Sequence, residues 1–145
     1  MGAAIAMRAA SEDDRIAALI LEAPYLSLKQ SLARWLVLAR LPRWLNLAPA
    51  ILLRANMRAG APLDRPTPLD LASRIRVPVW IFHGQDDGLV PIEHARLLAQ
   101  AIGDNATLTE IPDARHGNVY GVGAQALEER ASVFLTEAAE ASAAK

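Results

Sequence analysis

Two adjacent acids and a histidine stand in loops where they could take part in proton transfer: Asp86, Asp87 and His116. The acids follow the apolar run 77–82, and the histidine follows a second strand-like run at 106–111. An imidazole, whose ordinary pKa is about 6.5, can accept and return a proton at neutral pH. A carboxylate beside the ring can fix its tautomer and stabilise its charged form. The sequence therefore predicts a general base, His116, supported by an acid from the loop after the preceding strand.

The elements around these loops are predicted to be strands that alternate with helices. Residues 77–82 form a near-continuous run of β-branched and aromatic residues, typical of a strand buried on both faces of a parallel sheet. The apolar run 16–21 predicts a second strand buried on both faces, and 106–111 predicts a third. Helices are predicted at 2–10, 91–102 and 123 to about 139. This alternation indicates an α/β fold with parallel strands, whose ligand sites lie at the carboxyl ends of the strands.

A spaced motif across the second half of the chain resembles a known family. The motif is His83-Gly84-x-x-Asp87-x-x-Val90-Pro91, then a helix and a strand, then His116-Gly117. It resembles the C-terminal portion of an α/β-hydrolase fold, in the serine aminopeptidase and monoacylglycerol-lipase-like branch. Residues 1–6 resemble the segment just after the nucleophile in that family's Gly-x-Ser-Met-Gly elbow, and residues 22–25 resemble its next strand end. The resemblance covers residue 1 to about 135.

The resemblance implies a role for each candidate residue. Asp87 and His116 match the acid and the histidine of the family's catalytic triad, and the spacing after His83-Gly84 favours Asp87 over Asp86. Glu22 stays open as a third candidate acid, since some members take the acid from the end of the preceding strand. The backbone N–H of Met1 matches a donor of the oxyanion hole. His83 is expected to brace the loop after its strand.

The nucleophile itself has no match in the 145 residues, because the alignment places the serine immediately before Met1. None of the serines present has a Gly-x-Ser-x-Gly frame; they are Ser11, Ser27, Ser31, Ser73, Ser132 and Ser142. We therefore expect a truncated serine hydrolase of the esterase or lipase-like kind, inactive without its missing N-terminal half. The alternative is a non-catalytic binding or interaction module that pairs its exposed edge strand with another chain.

Residues 26–61 differ in composition from the rest of the chain, and we call them the cap segment. They contain six basic residues, no acidic residue, and two of the three tryptophans, Trp35 and Trp44. In the resembled family an insertion at this place forms a small helical cap or lid, so the core is expected at 1–25 and 69–140, with Trp35 and Trp44 covering the substrate. A second interpretation is a membrane-surface patch through residues 28–58, and a third is ordinary solvated arginines on a packed helix.

Composition excludes several other classes of function. The net charge of −1 and the pI near 6.3 give no argument for nucleic-acid binding. The absence of cysteine excludes disulfides and thiol chemistry and fits a cytoplasmic protein. No metal-ligand spacing, phosphate loop or dinucleotide fingerprint is present, so no cofactor and no metal are expected. The apolar cap segment favours a hydrophobic ester or amide as the substrate.

Overall fold

A three-stranded parallel sheet forms the centre of the protein in a computed structural model that describes residues 2–42 and 44–143. The strands are β1 (Leu19–Glu22), β2 (Val79–Gly84) and β3 (Ala106–Ile111), and β2 lies between the other two. Helices separate them along the chain, which confirms the predicted α/β class with parallel strands. The prediction for the backbone of Met1 lies outside the described residues.

Six α-helices accompany the sheet in the described part of the chain. They are α1 (Gly2–Glu12), α2 (Leu28–Leu38), α3 (Ala48–Ala59), α4 (Pro68–Ala72), α5 (Ile92–Ile102) and α6 (Val119–Ala143). Helix α5 ends at Gly103, whose φ of 79° is readily available to glycine, so the predicted C-terminal boundary is confirmed. Helix α6 begins four residues before the predicted position 123. Within the described ranges, no helix is both long and apolar enough to cross a membrane.

Strand β2 is buried along its whole length, as its apolar sequence predicts. Val79 and Ile81 pack into a core formed with α1, α4 and α5, whereas Trp80 and Phe82 pack into a second core formed with α6. Alternate residues of a strand point to opposite faces, so a strand that is apolar at every position can fill a core on each side. The central strand therefore anchors the loop after it from both sides.

The prediction that residues 16–21 form a strand buried on both faces is wrong. The strand is Leu19–Glu22, and its burial alternates: Leu19 and Leu21 are buried, whereas Ile20 and Glu22 are exposed. The second core does not extend over this side of β1 in the described residues, so only one face of the strand is covered. In helix α1, Met7 is the fully buried residue, and the others are exposed or partly buried.

The cap segment folds into two helices that pack on each other, α2 and α3. Pro42 lies after the end of α2, and Pro49 lies in the first turn of α3, where its missing N–H costs nothing. The two prolines therefore lie at helix boundaries, and the segment forms two short helices. The buried residues of these helices are Leu36 in α2 and Ala48 and Leu52 in α3.

Candidate active site

The loop after β2 holds the carboxylate of Asp87 in one fixed position. Oδ1 accepts hydrogen bonds from the backbone N–H groups of Leu89 and Val90, both at 2.8 Å. The side chain is fully buried although it follows directly after the exposed Asp86. The turn thus uses one carboxylate oxygen to close its own backbone and leaves Oδ2 for other partners.

Asp87 remains ionised in this buried position. Burial by itself would raise the pKa of the carboxyl, but four hydrogen bonds outweigh it and bring the pKa down from 3.8 to about 2. The donors are His83, the backbone N–H of Val90, His116 and the backbone N–H of Leu89. A carboxylate that accepts several hydrogen bonds is stabilised in its charged form. Asp87 is therefore a buried negative charge at neutral pH.

His116 lies in the loop after β3, and its ring contacts this buried charge. Nδ1 is 2.7 Å from Oδ2 of Asp87. Because an ionised carboxylate can only accept, Nδ1 carries the proton and donates it, which leaves Nε2 as the ring nitrogen able to accept a proton. Among the described residues no group hydrogen-bonds to Nε2, and the side chain is 43% exposed. The structure thus brings the predicted acid and base into direct contact across 29 residues of sequence.

Gly84 allows the two loops to approach each other. A Cβ at this position would collide with the backbone carbonyl of Ala114, which lies in the His116 loop. That carbonyl instead accepts a hydrogen bond from the backbone N–H of Asp86 at 2.9 Å. The N–H of Gln85 makes a similar bond to the carbonyl of Ile111, also at 2.9 Å. The glycine of the His-Gly pair is therefore required by the close backbone contact between the two loops.

His83, at the end of β2, supports the Asp87 loop, as the sequence suggests. Its ring is fully buried at the end of β2, and Nε2 donates to the carbonyl of Val90 at 2.8 Å. The same nitrogen is 3.3 Å from Oδ2 of Asp87, so the carboxylate oxygen that faces His116 also faces His83. This second ring contributes to the stabilisation of the carboxylate described above.

The other two candidate acids do not contact His116 in the described residues. Asp86 is exposed, and only its backbone N–H takes part in the loop contacts. Glu22 is exposed at the end of β1. It lines a cavity of about 420 Å³ together with His116, which places it near the ring without a hydrogen bond to it. Of the three candidate acids, Asp87 is therefore the one that hydrogen-bonds to His116.

Two cavities meet at His116. The first, of about 420 Å³, is lined by the start of α1, the end of β1 and the His116 loop. The second, of about 250 Å³, lies beneath α2 and is mainly apolar; its walls include Leu28, Leu32, Trp35 and Val90. A polar, proton-accepting ring thus lies at the junction of a cavity beside α1 and an apolar cavity under the cap segment.

The two tryptophans of the cap segment differ in their relation to His116. Trp35 lines the apolar cavity together with the ring. Trp44 is 84% exposed and lines neither of the two cavities that His116 shares with other described residues. A further cavity of about 530 Å³, between α2 and the residues after it, also lies away from His116. Of the two predicted lid residues, the structure brings only Trp35 to the site.

Two contacts that join the cap segment to the site were not expected from the sequence. Arg34 donates from Nε to the carbonyl of Gly88, beside Asp87, at 2.6 Å. The N–H of Leu26, the first residue of the cap segment, donates to Nδ1 of His94 at 3.4 Å, and His94 is half-buried. Burial, together with nearby His83 and Arg34, lowers the pKa of His94. The sequence distance in both contacts, 54 and 68 residues, left no local signal.

The chemistry available to this arrangement is proton transfer. An ionised acid holds the imidazole through Nδ1, so that Nε2 can take a proton from a hydroxyl and return it. In the described residues no group of three or more histidines, aspartates or glutamates is placed to bind a metal ion.

Comparison with known proteins identifies the architecture. No protein-family model and no curated protein match the sequence. Among solved structures, the chain is similar to the esterase Pf2001 of Pyrococcus furiosus, with 25% identity and a TM-score of 0.71 over 94% of this chain and 50% of the esterase. It is also similar to an esterase domain from Rhodothermus marinus, with 21% identity and a TM-score of 0.59 over 89% of this chain and 56% of that one.

A third similar structure, the acylaminoacyl peptidase of Pyrococcus horikoshii, matches 81% of this chain and 19% of its own, with 15% identity and a TM-score of 0.54. These proteins all have the α/β-hydrolase fold. The chain spans about half the length of the Pf2001 esterase that it matches. The order of the parallel strands, the two loops at their carboxyl ends and these similarities give one conclusion: the protein has the fold of the C-terminal portion of an α/β-hydrolase.

Proposed function

We propose that this chain supplies the acid and the base of a serine hydrolase that transfers the acyl group of an ester or amide to water. The observation that carries the proposal is the 2.7 Å hydrogen bond between His116 Nδ1 and the buried, ionised carboxylate of Asp87. The similar solved structures include esterases and a peptidase, which supports hydrolysis as the reaction class.

In the proposed reaction, Nε2 of His116 removes the proton of a serine hydroxyl as the oxygen attacks the substrate carbonyl. The imidazolium then gives this proton to the leaving alcohol or amine, and an acyl-enzyme remains. A water molecule then attacks the acyl-enzyme in the same way, and the carboxylic acid product is released. Asp87 keeps the Nδ1–H tautomer in place and stabilises the positive ring, without itself taking up the proton.

The nucleophilic serine is proposed to come from outside these 145 residues. Ser31 is the serine that lines a cavity with His116 in the described part of the chain, but it lies on α2 and lacks the elbow sequence that exposes a nucleophile. The cavity formed by His116 and the start of α1 offers a place for a serine presented beside that helix. On this proposal the 145-residue chain alone has no serine-hydrolase turnover.

A hydrophobic acyl or alcohol group is the proposed occupant of the apolar cavity under α2. Trp35 contributes to its wall, whereas Trp44 does not, so Trp44→Ala is a matched control for Trp35→Ala. In an active form, Trp35→Ala should raise KM for long-chain esters more than for acetyl esters. Equal effects of the two substitutions would contradict this assignment.

The test compares the 145-residue chain with a chain extended by the in-frame codons upstream of Met1. Both are treated with a fluorophosphonate probe and assayed with nitrophenyl esters. The extended chain should be labelled and active, and His116→Ala or Asp87→Asn should reduce its turnover by about 10³-fold or more. The shorter chain should show neither property.

Ser31→Ala distinguishes the remaining outcomes. If the 145-residue chain is labelled and Ser31→Ala abolishes the labelling, the proposal of an external serine is wrong. If the extended chain is active and His116→Ala leaves it so, the proposed base is wrong.

The second candidate function is a non-catalytic interaction module. It is favoured by the position of β1, which lies at one edge of the sheet with no strand on its other side in the described residues. Such an edge can accept a strand from another chain. A folded, soluble 145-residue chain whose upstream codons encode no Gly-x-Ser would favour this module over the enzyme.

A further inference from the structure

Charge is distributed unevenly between the cap segment and the rest of the chain. The cap segment carries six basic residues and no acidic ones, whereas the remaining residues carry nine basic and sixteen acidic ones. The net charge of −1 is therefore the sum of a strongly positive cap segment and a negative remainder of the chain. A field of one sign over one part of a surface attracts a partner of the opposite sign.

The outer face of α3 combines this positive charge with large apolar side chains. Leu53 and Met57 lie one turn apart and are 63% and 76% exposed. Arg54 and Arg58 lie one turn apart beside them and are also exposed, while Leu52 on the opposite side is buried. Residues three or four apart share a helix face, so these four side chains form one mixed strip.

The end of α2 and the residues after it have a similar composition. Val37, Leu38 and Trp44 are large apolar residues exposed there, and Trp44 at 84% is the most exposed of them. Arg40 is exposed in the same stretch. Single exposed apolar residues are ordinary, but a cluster interleaved with cations is the mark of an interaction surface.

We propose that this outer face of the cap segment binds an anionic lipid surface. Leucine, methionine and tryptophan side chains enter the boundary between headgroups and acyl chains, while arginine stems extend so that their guanidinium groups meet the phosphates. Each basic residue near such a surface raises the binding constant about fivefold. The protein is thus a peripheral binder, oriented with the cap segment towards the lipid.

The charge pattern favours lipid over a second copy of this chain. A twofold pairing of the strip with itself would place Arg54 and Arg58 opposite the same arginines, and like charges facing each other repel. The strip contains no acidic residue that could relieve this repulsion. A surface rich in phosphate groups and apolar below them complements both features of the strip.

The binding surface and the proposed site involve different residues of the cap segment. Leu28 and Leu32 on α2 line the apolar cavity beside His116. The four exposed α3 residues of the strip line neither of the cavities that include His116. Lipid binding is therefore independent of the proposed hydrolysis. It can be measured on the 145-residue chain without any assay of turnover.

The test is co-sedimentation of the chain with vesicles of phosphatidylcholine alone and with vesicles that also contain phosphatidylglycerol. The chain is expected to bind the mixed vesicles, and this binding should weaken as the salt concentration is raised. Binding to phosphatidylcholine alone should be weak. The double variant Arg54→Glu/Arg58→Glu should lower the binding constant at least about tenfold. Leu53→Ser/Met57→Ser should lower it as well and abolish the binding that survives at high salt.

Matched controls make the same changes elsewhere on the surface. Arg74→Glu/Arg76→Glu alters net charge equally at exposed positions outside the cap segment, and Val122→Ser/Val133→Ser removes exposed apolar groups from α6. Both control variants should bind like the unmodified chain. Circular dichroism of each variant verifies that it is folded.

Several outcomes would overturn the proposal. These are absence of binding to either vesicle, equal binding to both, or equal losses in the strip variants and the control variants. Light scattering completes the test: if the strip variants abolish self-association of the chain and leave vesicle binding unchanged, the strip is an interface between copies.

Discussion

The two loops that meet at the site are built in opposite ways. The Asp87 loop is buried, closes its backbone on its own carboxylate, and is braced by His83 below and by Arg34 from α2. The His116 loop is exposed, and its local structure depends on the turn contacts between Arg115 and Asn118. The two are joined by the side-chain bond between Asp87 and His116 and by backbone bonds to the Ala114 and Ile111 carbonyls.

This difference suits the two roles that we propose for these residues in proton transfer. An acid that only orients and stabilises a ring works best when it is fixed and kept charged. A base must reach a hydroxyl, a leaving group and water in turn, so its free nitrogen has to remain accessible. The structure therefore places rigidity on the acid side and exposure on the base side. Substitutions in and around the two loops can test each part of that contrast.

The largest expected effect is the stability difference between Asp87→Ala and His116→Ala. Asp87→Ala leaves the partly buried N–H of Leu89 and the buried N–H of Val90 without an acceptor, so the free energy of unfolding should fall by roughly 3 kcal/mol. His116→Ala removes an exposed ring and should cost about 1 kcal/mol or less. Urea unfolding measures both. Equal losses would mean that the two loops are equally important for the fold.

The second prediction concerns the close contact between the loops. In Gly84→Ala the new methyl group meets the carbonyl of Ala114, so we expect a loss of about 2 kcal/mol in the free energy of unfolding. Gly88→Ala in the same loop is the control, because a Cβ there meets nothing within 4 Å. If thermal unfolding shifts equally in the two variants, the loops do not depend on this contact.

The third prediction concerns pH. The pKa of Asp87 is about 2 in the folded protein against an ordinary 3.8, so the unfolded chain binds the proton first as the pH falls. The stabilisation by Asp87 is therefore complete above about pH 4 and is lost towards pH 2, a change of roughly 1–2 kcal/mol.

Asp70, Asp13 and Glu110 also have lowered pKa values, so the measurement needs Asp87→Asn as its reference. The difference in free energy of unfolding between the unmodified chain and this variant should shrink as the pH falls through that range. A constant difference would show that Asp87 is not specially stabilised in its charged form.

The smallest expected effect is that of the support from the cap segment. Arg34→Met removes the hydrogen bond to the Gly88 carbonyl at an exposed position, which should cost about 0.5–1 kcal/mol. Lys29→Met, on the same helix, is the control for loss of a surface charge. Amide hydrogen exchange of Leu89 and Val90 should become faster only in the Arg34 variant. Equal exchange rates in both variants would show that α2 does not stabilise this loop.

The sequence predicts β2, β3 and α5 well because each carries a strong local signal. Val79 to Phe82 are apolar at every position, and Gly103 ends α5 where a left-handed φ is needed. The face of β1 that stays exposed could not be predicted in the same way, because it depends on whether a distant helix covers that side. The partial burial of His94 could not be predicted for the same reason, because its neighbour Leu26 is remote in sequence.

The amino-acid sequence by itself determined the alternation of strands and helices, the order of an acid loop followed by a histidine loop, and the positive charge of the cap segment. These are local properties of composition and periodicity. Only the tertiary structure decided that Asp87 and not Asp86 or Glu22 contacts His116, that Trp35 and not Trp44 lines the cavity beside it, and that Arg34 supports the acid loop. Those outcomes depend on how the sheet brings distant loops together, since a hydrogen bond has to form between atoms about 3 Å apart, whatever their separation along the chain.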